Sequence, residues 1–122
     1  MGALDLTTAN QMVTNYTNTR RTLINTTYNI NDTKAIWFSL AQVNAFMATL
    51  TPDITGVRIY LAAYDTTDPT YPNQTTVIAI GTVADGAGGN VDPIGQNAQT
   101  LPADGSQDPS NHGSLCPPAV NC

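Results

Sequence analysis

Lys34-Ala35-Ile36-Trp37-Phe38-Ser39-Leu40-Ala41-Gln42-Val43-Asn44-Ala45-Phe46-Met47-Ala48-Thr49-Leu50 is the stretch on which the fold turns. Ala35 to Phe38 is a short β-prone run rich in aromatic and branched side chains. Ser39-Leu40-Ala41-Gln42 then has the spacing of a capping box, in which Ser39 accepts from the Gln42 amide and Gln42 reaches back. Phe38 and Val43 stand where a hydrophobic staple would close around that cap. Val43, Phe46, Met47 and Leu50 continue at helical spacing until Thr51-Pro52. The order is strand, cap, helix.

Upstream, Ala9, Met12, Val13 and Tyr16 recur at i, i+3, i+4 and i+7, one apolar stripe of a helix. Thr7 or Thr8 is the expected cap, and Arg20-Arg21 the expected end, where cations suit the helix dipole. Asn25 to Thr33 reads as an Asn- and Thr-rich loop. Downstream, Gly56 to Tyr64 alternates as a strand, with Val57, Ile59, Leu61 and Ala63 on one face and Arg58, Tyr60, Ala62 and Tyr64 on the other. Asp65 to Asn73 is turn-rich. Thr75 to Val83 is a second alternating strand. The whole is an α+β fold, one small domain of order helix, strand, helix, strand, strand. Its expected core is Met12, Val13, Tyr16, Trp37, Val43, Phe46, Met47, Val57, Ile59, Leu61, Val77 and Ile80.

After residue 84 the composition shifts. Residues 85–122 hold six Gly and five Pro without helical or strand period. Two segments follow: an α+β domain over 1–84 and a long irregular tail over 85–122, ordered by packing on its own or a neighbouring subunit. No repeat of solenoid length is present.

The 122 residues amount to one domain, and only 11% of them are charged, less than half of the roughly 25% usual for a globular chain. All nine acids are Asp, and the net charge is −5, which excludes a nucleic-acid footprint. Thr and Asn supply the surface polarity instead, and neutral groups cost less to desolvate than charges. The outer face of the 40–50 helix carries no charge, nor does the run from Pro69 to Ala84. Uncharged β-prone segments pair readily with other strands. No stretch is apolar enough to span a membrane. No signal peptide is visible at Met1-Gly2-Ala3-Leu4-Asp5, which leaves a cytoplasmic location open beside the extracellular one expected here.

Chemistry-bearing patterns are few. Cys116 and Cys122 flank Pro117-Pro118, and a short disulfide ring is the preferred reading, implying an oxidising compartment. A zinc site from His112, Cys116, Cys122 and Asp108 is the weaker alternative, because the cysteine spacing is wide and nothing selects Asp108 as fourth ligand. Asp85-Gly86-Ala87-Gly88-Gly89-Asn90-Val91-Asp92 offers oxygen ligands, yet an ordinary Asp/Gly turn explains it without calcium. With one His, no Glu and no nucleophile-elbow serine, no catalytic residue, metal or cofactor is expected. Arg58 beside Tyr60 and Tyr64 is a candidate site for a small anionic or glycan ligand, though an Arg so placed more often pairs with a local Asp. Four Asn-x-Thr sequons, at Asn15, Asn25, Asn31 and Asn73, follow mostly from composition.

Lys34-Ala35-Ile36-Trp37-Phe38-Ser39-Leu40, Gly56-Val57-Arg58-Ile59-Tyr60 and the Cys116-Pro117-Pro118 tail together resemble a group of small uncharacterised bacterial proteins. In that group a Trp-Phe-Ser helix start precedes a Gly-(Val/Ile)-Arg-Ile-Tyr strand and a Cys-Pro-Pro end. The resemblance covers about residues 5–83 and the last dozen. It implies an α+β domain with a cysteine-bearing tail and carries over no activity. The expected function is a self-assembling structural subunit of an extracellular filament or sheet, its partners being copies of itself through tail contacts. The alternative is a monomeric binding module using Arg58, Tyr60 and Tyr64.

Overall fold

A computed structural model describes residues 2–92 and 114–117. Its elements are α1 (Leu6–Tyr16), a π-helical turn (Thr17–Arg21), α2 (Thr22–Tyr28), β1 (Ala35–Trp37), α3 (Leu40–Thr49), β2 (Gly56–Ala63), β3 (Thr75–Ala84), β4 (Asn90–Val91) and β5 (Ser114–Cys116). The α+β class and the order helix, strand, helix, strand, strand hold, with two short strands added from the Gly/Pro-rich segment.

The first helix starts two or three residues earlier and ends later than its sequence implies. Asp5 is the cap, its carboxylate accepting the Thr8 amide at 2.7 Å. Thr7 and Thr8 are therefore first-turn residues. Arg20-Arg21 does not close the helix, because the chain stays helical through the π turn into α2 and stops at Asn29, in the left-handed conformation at φ 53°. Threonine hydroxyls reinforce the widened turn: Thr19 donates to the Asn15 carbonyl at 2.6 Å, and Thr22 donates to the Thr17 carbonyl, five residues back, at 2.7 Å. The charge at the expected helix end is used in a different way. Arg21 donates to the Asp32 carbonyl at 2.8 Å and to the Asn31 side chain at 2.6 Å, folding the following loop back on the helix.

The segment from Lys34 to Leu50 forms as its spacing requires. Ser39 caps α3 by accepting from the Gln42 amide at 3.0 Å, and the Gln42 side chain accepts the Ser39 amide at 2.8 Å. The helix ends at Thr49, before Pro52. β2 and β3 form an antiparallel pair from Gly56↔Thr82 to Ala63↔Thr75, and β4 adds to the far side of β3 through Val83↔Val91 and Ala84↔Asn90. The β3–β4 turn is held by Asp85, whose carboxylate accepts the amides of Ala87 at 2.7 Å and Gly89 at 2.9 Å. Gly86 and Gly88 take positive φ there, and a Cβ on Gly89 would run into the Asp85 side chain.

A second, two-stranded sheet joins β1 to β5, with Ile36 opposite Leu115. The tip of the tail thus packs on its own domain, and Leu115 is 1% exposed. The remainder of 93–122, including Asp108, His112 and Cys122, lies outside the described residues.

Burial corrects the expected core. Of its twelve members only Ile80 is buried, Tyr16, Phe46 and Val77 are half-buried, and Met12, Val13, Trp37, Val43, Met47, Val57, Ile59 and Leu61 are exposed. Alternation in β2 is as read, but the half-buried face is the one bearing Arg58, Tyr60 and Ala62. On β3 the matching face carries Thr76, Ile80 and Thr82, all buried. Polar pairing decides this. Asp32, wholly buried, accepts the Thr75 amide at 2.8 Å and the Thr75 hydroxyl at 2.7 Å, while its own amide donates to the Asn25 side chain at 2.6 Å. Next to it, Thr33 donates to the Thr75 carbonyl at 2.6 Å, Lys34 donates from its backbone to the Cys116 carbonyl at 2.6 Å, and the Gln74 side chain donates to the Pro117 carbonyl. Helix, β1–β5 ribbon and larger sheet all meet at this node.

The other sheet face is covered loosely. Leu50 and Ile54 lie over Gly81, where a Cβ would come within 3.0 Å of Leu50. Further along, Tyr16, Ile36, Phe38, Ile59 and Val77 line an open groove of about 320 Å³.

Asp32→Ala should lower stability by about 1–3 kcal/mol, because it strands the amide and hydroxyl of Thr75. Asp32→Asn should recover part of that loss, and urea denaturation of the three chains checks the order. Acid should act at the helix start. Hydrogen bonds from the backbone and side chain of Thr8 hold the Asp5 carboxyl below its ordinary value of 3.8. Its stabilising contribution is therefore complete above that value and lost as pH falls through the lower folded one. Circular dichroism between pH 6 and pH 2 (roughly the range over which carboxylates titrate) should show less helix lost in Asp5→Asn than in the parent chain.

Candidate functional site

The two faces of β2 offer different chemistry, and both were singled out in the sequence. On the half-buried face, Arg58 reaches across β3 to form an ion pair with Asp92, just past β4, and donates to the Asn90 carbonyl at 3.0 Å. The Asp92 side chain is wholly buried, and the Tyr60 hydroxyl lies 3.0 Å from both of its carboxylate oxygens. A carboxylate taken out of water needs a cation and hydrogen-bond donors, and Arg58 with Tyr60 supplies them. The cluster joins the two outer strands of the sheet.

Of the three residues expected to form a ligand site, Arg58 and Tyr60 are thus brought together on Asp92. Tyr64 is elsewhere, its ring packed on Tyr71 with centroids 5.3 Å apart. An anion approaching Arg58 meets a guanidinium already paired with a carboxylate. The sequence singled out Asp92 as an oxygen of the calcium-like stretch and expected an Asp beside Arg58, but did not join the two, because Asp92 follows a Gly-rich turn with no strand period.

Asp85, the first carboxylate of the calcium-like stretch, is committed to the amides of its own turn. Hydrogen bonds from Ala87 and then Gly89 hold its carboxyl below the ordinary value of 3.8. The side chains of all four sequon asparagines accept hydrogen bonds: Asn15 from Gln11, Asn25 from the Asp32 amide, Asn31 from Arg21, and Asn73, at φ 63° in the turn before β3, from Thr66. Cys116 is buried in β5, and the Cys116–Cys122 pairing expected from the sequence has its second member outside the described residues.

The opposite face of β2 is apolar and open. Val57, Ile59 and Leu61 are 45%, 63% and 84% exposed. Apolar residues of α1 and α3 are exposed as well: Met12 and Val13 on one, Leu40, Val43 and Met47 on the other. A groove of about 430 Å³ beside the first half of β2 takes residues from both faces of the strand, among them Gly56, Arg58, Val57 and Ile59. No helix among the described residues is long and apolar enough to cross a membrane.

Comparison with protein-family models, curated proteins and solved structures finds no match.

Removing one partner of the buried cluster should cost more than thinning it. Tyr60→Phe should destabilise by about 1–2 kcal/mol through one lost hydrogen bond to a charged group. Arg58→Ala should lower the melting temperature further, because it leaves Asp92 buried without its cation. Arg58→Lys should not restore it, since an ammonium cannot fork between Asp92 and the Asn90 carbonyl. Thermal melts of the three variants test this ranking. A smaller loss in Arg58→Ala than in Tyr60→Phe would contradict the role given to the ion pair.

Proposed function

We propose that the chain is a self-assembling structural subunit, part of an extracellular filament or sheet, and not an enzyme. One observation carries the reading: the large apolar side chains of β2, α1 and α3 point outward, while the residues buried among the described ones are mostly polar. Covering an exposed Leu or Ile side chain is worth about 1.5–3 kcal/mol each, so a surface of this kind gains by being covered. The charge-poor composition agrees, because Thr and Asn groups between the apolar rows lose less on desolvation than Lys or Glu would. The proposed partners are copies of the same chain. The extracellular setting rests on the proposed Cys116–Cys122 bond, which persists where surroundings are oxidising.

Tail contacts remain part of the proposal. Deleting residues 110–122 would remove β5, with Leu115 in the domain interior, and so would test folding rather than assembly. The reading of Arg58, Tyr60 and Tyr64 as a site for a small anionic or glycan ligand has less support, since Asp92 already occupies the guanidinium and Tyr64 stands apart.

Sedimentation velocity over a wide concentration range, with electron microscopy of the most concentrated sample, should show association into regular particles. Cys122→Ser, or reductant, should weaken it if the tail takes part. Association that ignores both would remove the tail from the contact, and a chain that stays monomeric throughout would remove the reading itself.

A further inference from the structure

Among the described residues β2 is an edge strand, paired with β3 on one side only. Edge strands are normally guarded by Lys, Pro, a bulge or short length. β2 has eight residues and none of those guards, and its single charge, Arg58, is turned to Asp92. Just past the strand, Tyr64 donates from its backbone to the Gln74 carbonyl at 3.0 Å, in register with the ladder that pairs Ala63 with Thr75. By the alternation of an antiparallel ladder, even-numbered residues of β2 turn their amides and carbonyls toward β3, and Val57, Ile59 and Leu61 turn theirs outward. A row of backbone groups without partners among the described residues therefore lies beside a row of exposed apolar side chains.

We propose that β2 pairs antiparallel with β2 of a second copy about a two-fold axis at Ile59, joining the two three-stranded sheets into one. This rests on the self-assembly reading above and names the surface that carries it. The strand is complementary to itself in that register. Ile59 faces Ile59 of the other copy, Val57 faces Leu61, and Gly56 faces Ala62, so apolar side chains lie side by side on the exposed face. On the other face Arg58 comes opposite Tyr60, a cation beside an aromatic ring. A shift of one residue would set the apolar face against the Arg58 and Tyr60 face. A shift of the axis to Arg58 would put the two guanidinium groups opposite each other, which is destabilising. A shift to Tyr60 would set Ile59 against Leu61 but leave Val57 facing Ala63, and would remove the aromatic ring from Arg58. The register at Ile59 avoids all three losses. Because the contact is isologous it closes as a dimer, and a filament would grow through a second surface, such as the apolar rows of α1 and α3.

Ile59→Lys places two ammonium groups face to face at the axis, on a side chain exposed enough to accept the change. Val13→Lys alters the α1 row and leaves β2 intact. Sedimentation velocity of the two variants and the parent chain, with circular dichroism as the check on folding, tests the proposal. Hydrogen exchange of the Val57, Ile59 and Leu61 amides is followed in the parent chain at low and high concentration. The expected result is a dimer weakened about tenfold or more by Ile59→Lys, unaffected by Val13→Lys, with those three amides protected as concentration rises. If Ile59→Lys fails to fold, the exchange of the parent chain decides. Undiminished association of Ile59→Lys, or fast exchange of the three amides in an associated sample, overturns β2 pairing and leaves self-assembly standing. A parent chain that is monomeric at every concentration overturns both.

Discussion

A buried carboxylate has a strong demand for hydrogen bonds, and Asp32 can meet it only by holding Thr75 with both of its oxygens. That clamp fixes where β3 begins relative to the end of the first helix. The Arg21 guanidinium bonds the carbonyl of the same residue, and Asn25 takes its amide, so all three groups of Asp32 are spoken for. With Thr75 set, the register of β3 against β2 follows. With Thr33 and Lys34 set, β1 is presented to β5. Little of this depends on apolar burial, and the arrangement tolerates a first helix whose apolar stripe remains in the open.

Two polar ties therefore organise what a larger core would do elsewhere. Asp32 joins helix to sheet, and Asp92 joins the outer strands through Arg58 and Tyr60. Each is buried, and each depends on partners far away in sequence. Their geometry defines a unique fold while contributing less than a packed interior of Leu and Ile would. Many of the large apolar side chains of β2, α1 and α3 are left exposed. The labour is divided, with polar groups determining shape and apolar groups left at the surface.

Local signals in the sequence were sufficient for the local structure. Ser39 and Gln42 announce their cap because both partners lie within one turn, and the two long strands announce themselves by alternation over eight or more residues. What could not be read was which face of β2 turns inward. Val57, Ile59 and Leu61 have the hydrophobicity of a core row, and the outcome hinges on Asp92, which lies 34 residues beyond Arg58 in a segment without period. The length of the first helix was hidden for a related reason: Arg20-Arg21 looks like a terminus until Asn31 and Asp32 are seen to be the partners of Arg21. β5 has three residues, too few for any periodicity. Of the ligand site read around Arg58, the proximity of Tyr60 was legible and the presence of a buried counter-ion was not.

The pairing of β1 with β5 also sets a schedule. Ala35 binds Cys116, so the ribbon cannot close until a ribosome has added the roughly eighty residues between them, which at 5–20 residues per second is on the order of 4–16 s. For that interval Ile36 and the open edge of β1 are exposed while β2 and β3 can already pair. Chain order lets the larger sheet form before the ribbon, whose closure waits for Leu115.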